Sequence, residues 1–140
     1  MTPSVEVGRC PEAEVPHLFG LAKSVFAGAR GWRDDRVLDA LADDLLFLAR
    51  DEGDPAGYVA LRREADGALL IEQLFIVPGH ERRGIGHRLL DYAEGYAIAE
   101  RAPALRIVVE SDNLPARDFY QRAGFVPVEP ELFERSLPTG

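Results

Sequence analysis

The sequence predicts a mixed α/β fold in one domain, and two observations lead to this prediction. Short apolar runs typical of strands alternate along the chain with segments whose apolar residues recur every three to four positions, as in helices. The 140 residues are 46% hydrophobic and 29% charged, which is typical of a soluble globular protein with its own core. The predicted order is strand, two helices, three strands, helix, strand, helix and closing strands, so we expect a single domain over residues 1–140.

The first half of the chain is expected to contain three strands after its two helices. The strands are predicted at 4–10, 45–49, 57–63 and 69–77, with the second helix at 34–44 and a turn at 51–55. The first helix opens at Pro11. Its buried stripe comprises Val15, Leu18, Phe19, Ala22, Val25 and Phe26. Two glycines within 28–32 are expected to break that helix, because glycine destabilises a helix interior.

The second half begins with a helix whose apolar face is well defined. From Gly84 the period becomes helical, and the predicted face comprises Ile85, Leu89, Ala93 and Ala97, with Leu90 and Tyr96 beside it. A strand at 104–109 and a short helix at 114–123 follow, and strands at 125–128 and 132–137 close the chain.

Composition excludes several classes of function. The net charge of −8 disfavours a nucleic-acid partner, whose phosphates require basic side chains, and suits a cationic acceptor. Cys10 is the only cysteine and the three histidines lack ligand spacing, so we expect no metal site. The lone cysteine fits a reducing cytoplasm. The sequence contains neither a signal-peptide pattern nor an apolar run of membrane-spanning length, so we expect no membrane association.

The stretch HERRGIGHRLL, residues 80–90, places two glycines behind two arginines where a strand ends and a helix begins. It is not a dinucleotide fingerprint, because Leu89 occupies the position of the third glycine, and it lacks the Gly-Lys-Ser/Thr of a P-loop. The first amides of a helix can bind phosphate, and glycines let a diphosphate approach them. A solvated turn would have the same local sequence, so this stretch alone leaves both interpretations open.

A second stretch, VESDNLPARDFYQRAGF at residues 109–125, gives the pair of motifs a specific resemblance. Together, LFIVPGHERRGIG and the later Asn113, Tyr120 and Gly124-Phe125 resemble the GNAT superfamily of acyl-CoA-dependent N-acyltransferases. The resemblance covers roughly residues 55–128 in the family's order. It departs from the family at Glu81, where the loop usually begins with Gln or Arg.

The resemblance implies both a fold and a cofactor site. The fold would be a mostly antiparallel, splayed sheet of about six to seven strands flanked by about four helices. Acetyl-CoA would be the co-substrate, with its pantetheine arm along β-type backbone, its pyrophosphate in the glycine loop and Asn113 on the far side. The residues implied in binding are Leu74, Phe75, Ile76, Arg82, Arg83, Gly84, Ile85, Gly86, His87 and Asn113.

Two side chains are candidates for proton transfer. Tyr120 stands at the family's general-acid position, and its ordinary pKa near 10 keeps it protonated at neutral pH; its alternative role is that of a core aromatic residue. Glu72 alternates with Leu70, Leu74 and Ile76 on one strand face, so it is a candidate general base that would deprotonate an amine. The alternative for Glu72 is a buried carboxylate paired with an arginine.

We therefore expect an N-acetyltransferase that moves an acetyl group from acetyl-CoA directly to a primary amine in a ternary complex. A small-molecule amine is favoured, because the similar ribosomal-protein alanine acetyltransferases carry a glutamate where this chain has Val108. Phe26 and Trp32 are candidates to line the acceptor site. The alternatives are a protein N-terminal or lysine acetyltransferase and a catalytically silent acyl-CoA-binding module. Similar enzymes are often dimers, which makes a homodimer a further expectation.

Overall fold

A computed structural model describes residues 5–30, 45–81 and 83–138, although it leaves out the side chains of 24–30. The strands are β1 (Val5–Arg9), β2 (Leu45–Asp51), β3 (Asp54–Arg63), β4 (Leu69–Ile76), β5 (Ala104–Val108), β6 (Val126–Pro127) and β7 (Leu132–Ser136). The helices are α1 (Val15–Arg30), preceded by a 3-10 turn at Glu12–Glu14, α2 (Ile85–Ala99) and α3 (Leu114–Arg122). The mixed α/β prediction is confirmed, whereas the helix predicted at 34–44 lies outside the described residues.

The strands form a seven-stranded sheet in the order β1-β2-β3-β4-β5-β7-β6. Four of the neighbouring pairs are antiparallel, namely β1 with β2, β2 with β3, β5 with β7, and β6 with β7. β4 and β5 are parallel, with Leu69 opposite Leu105 and Ile71 opposite Ile107. The prediction of a mostly antiparallel sheet is thus confirmed.

The break predicted in the first helix at 28–32 is wrong at its start, because α1 continues through Gly28 to Arg30. A glycine in a helix interior costs about 1 kcal/mol relative to alanine, which the packing of a long amphipathic helix can offset. Leu18 and Ala22, two residues of the predicted stripe, are fully buried.

The chain divides into two compact units, the first formed by Met1–Leu61 with Gln73–Ala93. Its core contains Leu18, Ala22, Leu46, Leu48, Tyr58, Ala60, Phe75 and Val77. A polar pair lies within this core, where the Tyr58 hydroxyl donates to Oε1 of Gln73. Burial raises the pKa of Tyr58 far above its ordinary value, so the hydroxyl remains protonated and a donor.

The second unit comprises Arg62–Glu72 with Glu94–Gly140. Its buried residues include Leu105, Ile107, Tyr120, Phe125 and Phe133. On β5, the Arg106 guanidinium binds three carboxylates, those of Glu64 at 3.0 Å, Asp66 at 2.7 Å and Glu134 at 2.8 Å. This cluster connects the β3–β4 turn to β5 and β7.

The β3–β4 hairpin contains an irregularity in the strand that leads to the glycine loop. Near the turn, Glu64 N donates to Ala68 O, and at the far end Val77 N donates to Ala56 O. β4 therefore contributes one more residue than β3 between these two bonds, as in a β-bulge. Bulges disrupt the hydrogen-bond ladder locally and are frequent beside active sites.

Gly57 of β3 approaches β4 too closely for any side chain. A Cβ added to this residue would lie 2.5 Å from the carbonyl oxygen of Phe75. Glycine is therefore required at this position, where β3 approaches the Phe75 carbonyl of β4.

Candidate active site

The glycine loop connects β4 to α2 through backbone that favours glycine. Gly79 and Gly84 have φ angles of 97° and 75°, in the left-handed region. A Cβ added at Gly84 would meet no atom of the described residues within 4 Å, so this side of the loop is open with respect to the part of the chain that the structure describes. Arg88 N donates to Gly84 O, and the amides of Ile85, Gly86 and His87 precede this first turn bond of α2. First-turn amides have no acceptor within their own helix, so the loop has the form of an anion site.

The structure shows what two arginines of the loop contact within the protein. Arg83 was expected to supply charge to a diphosphate, and its Nε lies 2.6 Å from Oδ2 of Asp51. Arg88 Nη2 donates to the Val5 carbonyl at 3.0 Å. Both arginines therefore anchor the loop to the paired strands β1 and β2. Arg82, the remaining predicted arginine, lies outside the described residues.

Asp51 is the residue that the sequence analysis missed, since it was placed in the 51–55 turn. It is instead the last residue of β2, and it is only 5% exposed. A charged residue that directly follows a buried strand is a weak signal of such a site. The partner cannot be found from sequence, because Arg83 is distant along the chain.

Glu81 has a local role that accounts for an acid at the mouth of an anion site. Its Oε2 accepts a hydrogen bond from the Gly79 amide at 2.8 Å. A hydrogen bond from the Glu81 amide, followed by this bond from Gly79, holds the pKa of the Glu81 carboxyl below its ordinary value. Glu81 thus stabilises the turn that leads into the loop.

The strand residues predicted to border the cofactor alternate in exposure along β4. Phe75 is buried, while Leu74 and Ile76 are partly exposed and share their face with Glu72. The Glu72 side chain is 17% exposed, and its Oε1 lies 3.0 Å from Arg62 Nη1. Glu72 therefore lies on the strand face where it was predicted. It is also paired with an arginine, as the alternative interpretation of Glu72 expected.

In the second unit, Asn113 caps the short helix α3, and Tyr120 lies within that helix. The Asn113 side-chain oxygen accepts from the Ala116 amide at 3.3 Å and so caps the start of α3. Tyr120 is 5% exposed. Its ring makes edge contacts with Phe119 and Phe125, at centroid distances of 5.1 and 5.6 Å. The packed ring agrees with the alternative role of Tyr120 as a core aromatic residue. A packed ring can still carry a hydroxyl that donates a proton.

The Gly124-Phe125 pair ends this helix. Gly124 has a φ of 96°, and the Phe125 amide donates to the Tyr120 carbonyl at 3.0 Å. This left-handed turn after the helix is a common helix end, and it brings Phe125 back against Tyr120. The motif residues that identify this stretch therefore fix the position of the tyrosine.

The residues predicted to line the acceptor site are not among those whose side chains the structure describes. Trp32 is not among the described residues, and nothing is described of the Phe26 side chain. Val108 is described and is 56% exposed on β5. In the part of the chain that the structure describes, no helix is both long enough and apolar enough to span a membrane.

Comparison with known proteins agrees with this arrangement. The sequence model of the acetyltransferase (GNAT) family matches residues 15–125, so the chain belongs to the GNAT acetyltransferase family. A streptothricin acetyltransferase from Streptomyces lavendulae is 37% identical over 86 residues, which cover 60% of this chain and 46% of that protein. The peptidyl-lysine N-acetyltransferase YiaC from Escherichia coli is 35% identical over 103 residues, covering 71% and 64%. The chain thus spans less than two thirds of the length of these relatives.

Solved structures share the fold at low sequence identity. A GNAT acetyltransferase from Staphylococcus aureus superposes with a TM-score of 0.82 at 16% identity, covering 96% of this chain and 99% of that one. The PaiA N-acetyltransferase from Thermoplasma acidophilum, solved in complex with coenzyme A, gives a TM-score of 0.77 at 18% identity, covering 95% and 99%. At these identities the likeness establishes the fold alone.

Proposed function

We propose that this protein is an N-acetyltransferase that transfers an acetyl group from acetyl-CoA to a primary amine. The observation that carries this proposal is the loop before α2, where an open, left-handed Gly84 precedes the amides of Ile85, Gly86 and His87. These amides would bind the pyrophosphate of coenzyme A, because the positive end of the α2 dipole adds to their attraction for an anion. Arg83 would contribute its charge beside them, and Arg82 is assigned the same role from the resemblance.

The irregular β4 strand would bind the pantetheine arm through backbone groups. The extra residue of β4 lies between Ala68 and Val77, a range that includes Leu74, Phe75 and Ile76. A bulge turns ladder groups away from the neighbouring strand, so an amide here can bond to a ligand instead. One such amide would polarise the thioester carbonyl. Asn113, whose oxygen caps α3, would bind the arm through its side-chain amide group.

Tyr120 would protonate the thiolate that leaves. Its hydroxyl is at the end of a ring held between Phe119 and Phe125, so little conformational freedom is lost when it donates. Direct transfer to the amine requires no covalent enzyme intermediate, and Cys10, the only cysteine, lies far along the sequence from both motifs.

Glu72 would accept the proton of the amine, and its pairing with Arg62 provides a direct way to test this role. Neutral pH lies about 3.4 units below the pKa of a lysine-like amine, so nearly all of the amine is protonated and cannot attack. A positioned base that removes this proton accelerates the reaction. If Glu72 is the base, Glu72→Gln lowers kcat by about 100-fold, whereas Arg62→Gln lowers it by less than about three-fold. Equal effects of the two substitutions on kcat would reduce Glu72 to a partner in an ion pair.

A small-molecule amine is the acceptor that we favour. Val108 offers an apolar, exposed surface at the position where the similar ribosomal-protein alanine acetyltransferases carry a glutamate. The net charge of −8 favours a cationic acceptor by long-range attraction. The named relatives include a streptothricin acetyltransferase and a peptidyl-lysine N-acetyltransferase, so the test must compare small amines with lysine peptides.

Calorimetry with acetyl-CoA, followed by detection of released coenzyme A thiol over a panel of amines, tests the proposal. We expect saturable binding of acetyl-CoA, with thiol release stimulated by at least one small amine. Faster release with lysine peptides than with any small amine would make the protein a peptide acetyltransferase. Binding without turnover on any amine would make it a silent acyl-CoA-binding module. Absence of acetyl-CoA binding would refute the proposed function.

A further inference from the structure

Asp51 brings the end of β2 into contact with the loop that precedes α2. Its Oδ2 lies 2.6 Å from Arg83 Nε and 3.4 Å from His80 Nδ1, and its Oδ1 accepts from Arg83 Nη2 at 3.3 Å. The Asp51 side chain is 5% exposed, whereas that of Arg83 is 49% exposed. All three residues belong to the first unit. A nearly buried carboxylate thus binds the inner side of a guanidinium whose other side faces solvent.

The geometry of this pair fixes the direction of the arginine. Asp51 contacts Nε and Nη2, which are two of the three nitrogens of a planar group with five N–H donors. A two-point contact on one edge sets the plane of the guanidinium and directs Nη1 away from the carboxylate. The arginine can therefore bind Asp51 and a phosphate oxygen at the same time.

A second arginine anchors the other end of the same loop. Arg88, in the first turn of α2, donates to the Val5 carbonyl at 3.0 Å. Val5 lies directly opposite Asp51 in the pairing of β1 with β2. The segment from Gly84 to His87 is therefore held on both sides by arginines that bind adjacent positions of one strand pair.

The stability of the fold does not by itself explain why a buried carboxylate, Asp51, is paired with Arg83. Burial of an ion pair costs desolvation energy that the attraction between the charges only partly offsets, and an apolar residue of similar size is often as stable. A buried carboxylate that binds a half-exposed arginine is better suited to orientation than to folding.

We propose that Asp51 is a positioning residue that orients Arg83 toward the diphosphate of coenzyme A. This inference rests on the proposed function, and it adds a residue that does not itself touch the ligand. Asp51 would act on the ligand through Arg83, so the effect of its substitution on affinity should be confined to ligands that carry the diphosphate.

The test compares Asp51→Asn with Asp54→Asn, a matched change at an exposed residue that begins β3 and lies opposite Asp51 in the pairing of β2 with β3. Calorimetry measures the Kd for coenzyme A and for S-acetylpantetheine, which lacks the diphosphate. We expect Asp51→Asn to raise the Kd for coenzyme A about ten-fold and to leave that for S-acetylpantetheine unchanged. Asp54→Asn should change neither. In an Arg83→Gln background, Asp51→Asn should add less than about two-fold, because its effect requires the arginine.

Arg83→Lys provides a second test that does not remove the buried carboxylate. Lysine keeps the positive charge but cannot make the two-point contact, so we expect a several-fold higher Kd for coenzyme A and the same melting temperature. The inference is overturned if the wild type binds coenzyme A and Arg83→Lys binds it equally well. It is also overturned if Asp51→Asn weakens both ligands alike, which would indicate a role in folding only. A wild type that binds no coenzyme A would instead refute the proposed function.

Discussion

The loop before α2 and the turn after α3 each contain a glycine in left-handed backbone, but their surroundings are opposite. Gly84 has a φ of 75°, and among residues 5–30, 45–81 and 83–138 a Cβ there would meet no atom within 4 Å. Gly124 has a φ of 96°, and a Cβ there would lie 3.5 Å from Nε of Arg135. Arg135 also donates to the Ala123 carbonyl at 2.8 Å, so the turn is closed by protein contacts. The same backbone conformation is thus left open in one region and packed in the other.

This difference suggests that the two motifs have different functions. The open loop presents backbone amides and would determine how tightly acetyl-CoA binds. The packed helix holds the Tyr120 ring and would determine how fast the acetyl group is transferred. Substitutions in the loop should therefore alter Kd, and substitutions in the helix should alter either kcat or folding.

The largest effect is expected from Tyr120→Phe. This change removes the proton donor but keeps the ring contacts with Phe119 and Phe125. Because general-acid catalysis typically contributes about 10²–10⁴-fold, we expect kcat to fall about 100-fold while the Kd for acetyl-CoA stays within about two-fold. Steady-state kinetics and calorimetry measure the two quantities. Tyr92→Phe, at a half-exposed tyrosine of α2, is the control, and full turnover by Tyr120→Phe would exclude the acid role.

The next largest effect is expected from Gly84→Ala, with Gly79→Ala as its matched control. Both positions have left-handed backbone and open space, so each substitution should lower the free energy of unfolding by about 1 kcal/mol through backbone strain. Gly84 alone adjoins the first-turn amides, so only Gly84→Ala should raise the Kd for coenzyme A, by about ten-fold. An equal rise in both variants would mean that strain in the loop, and not loss of a binding surface, weakens the ligand.

Gly124→Ala is expected to affect folding without affecting binding. The nearest atoms of Arg135 lie at ordinary van der Waals distance, so the cost arises from the positive φ and should again be about 1 kcal/mol. Chemical denaturation measures this loss, and calorimetry should give an unchanged Kd for coenzyme A. A large rise in Kd would show that the division between the two motifs is wrong.

The smallest effect is expected on the pH dependence of folding stability, when Glu81 is replaced by glutamine. Backbone hydrogen bonds lower the pKa of this carboxyl in the folded state, so its contribution to stability is present above its unfolded pKa of about 4.3. The contribution is lost as the pH falls through the lower folded value. Denaturation at pH 7 should show Glu81→Gln slightly less stable than the wild type, and at pH 3 the difference should narrow. A constant difference at both pH values would exclude the proposed role in the turn.

The parts of the fold with strong local patterns could be predicted from the sequence. The apolar face of α2 is an example, since Ile85, Leu89, Ala93 and Ala97 are all buried as the helical period predicts. The alternation along β4 is another, because Glu72 and Leu74 lie on the partly exposed face. Both patterns depend on neighbours that are close in sequence, which is why periodicity was sufficient.

The contacts of the candidate site could not be predicted in the same way. Asp51 binds Arg83, and Arg88 binds the Val5 carbonyl, through tertiary contacts that no local pattern records. The sequence also could not reveal that Glu81 accepts a hydrogen bond from Gly79, because the charge of the residue suggested an unfavourable site for an anion. The open space beside Gly84 likewise depends on what the fold leaves unfilled.

The most direct measurement is a calorimetric titration of coenzyme A into the wild type, Gly84→Ala and Tyr120→Phe under the same conditions. We predict saturable binding to the wild type, a Kd about ten-fold higher for Gly84→Ala, and a Kd within about two-fold of wild type for Tyr120→Phe. Weaker binding by Tyr120→Phe than by Gly84→Ala, or equal binding by all three proteins, would contradict the assignment of affinity to the loop before α2.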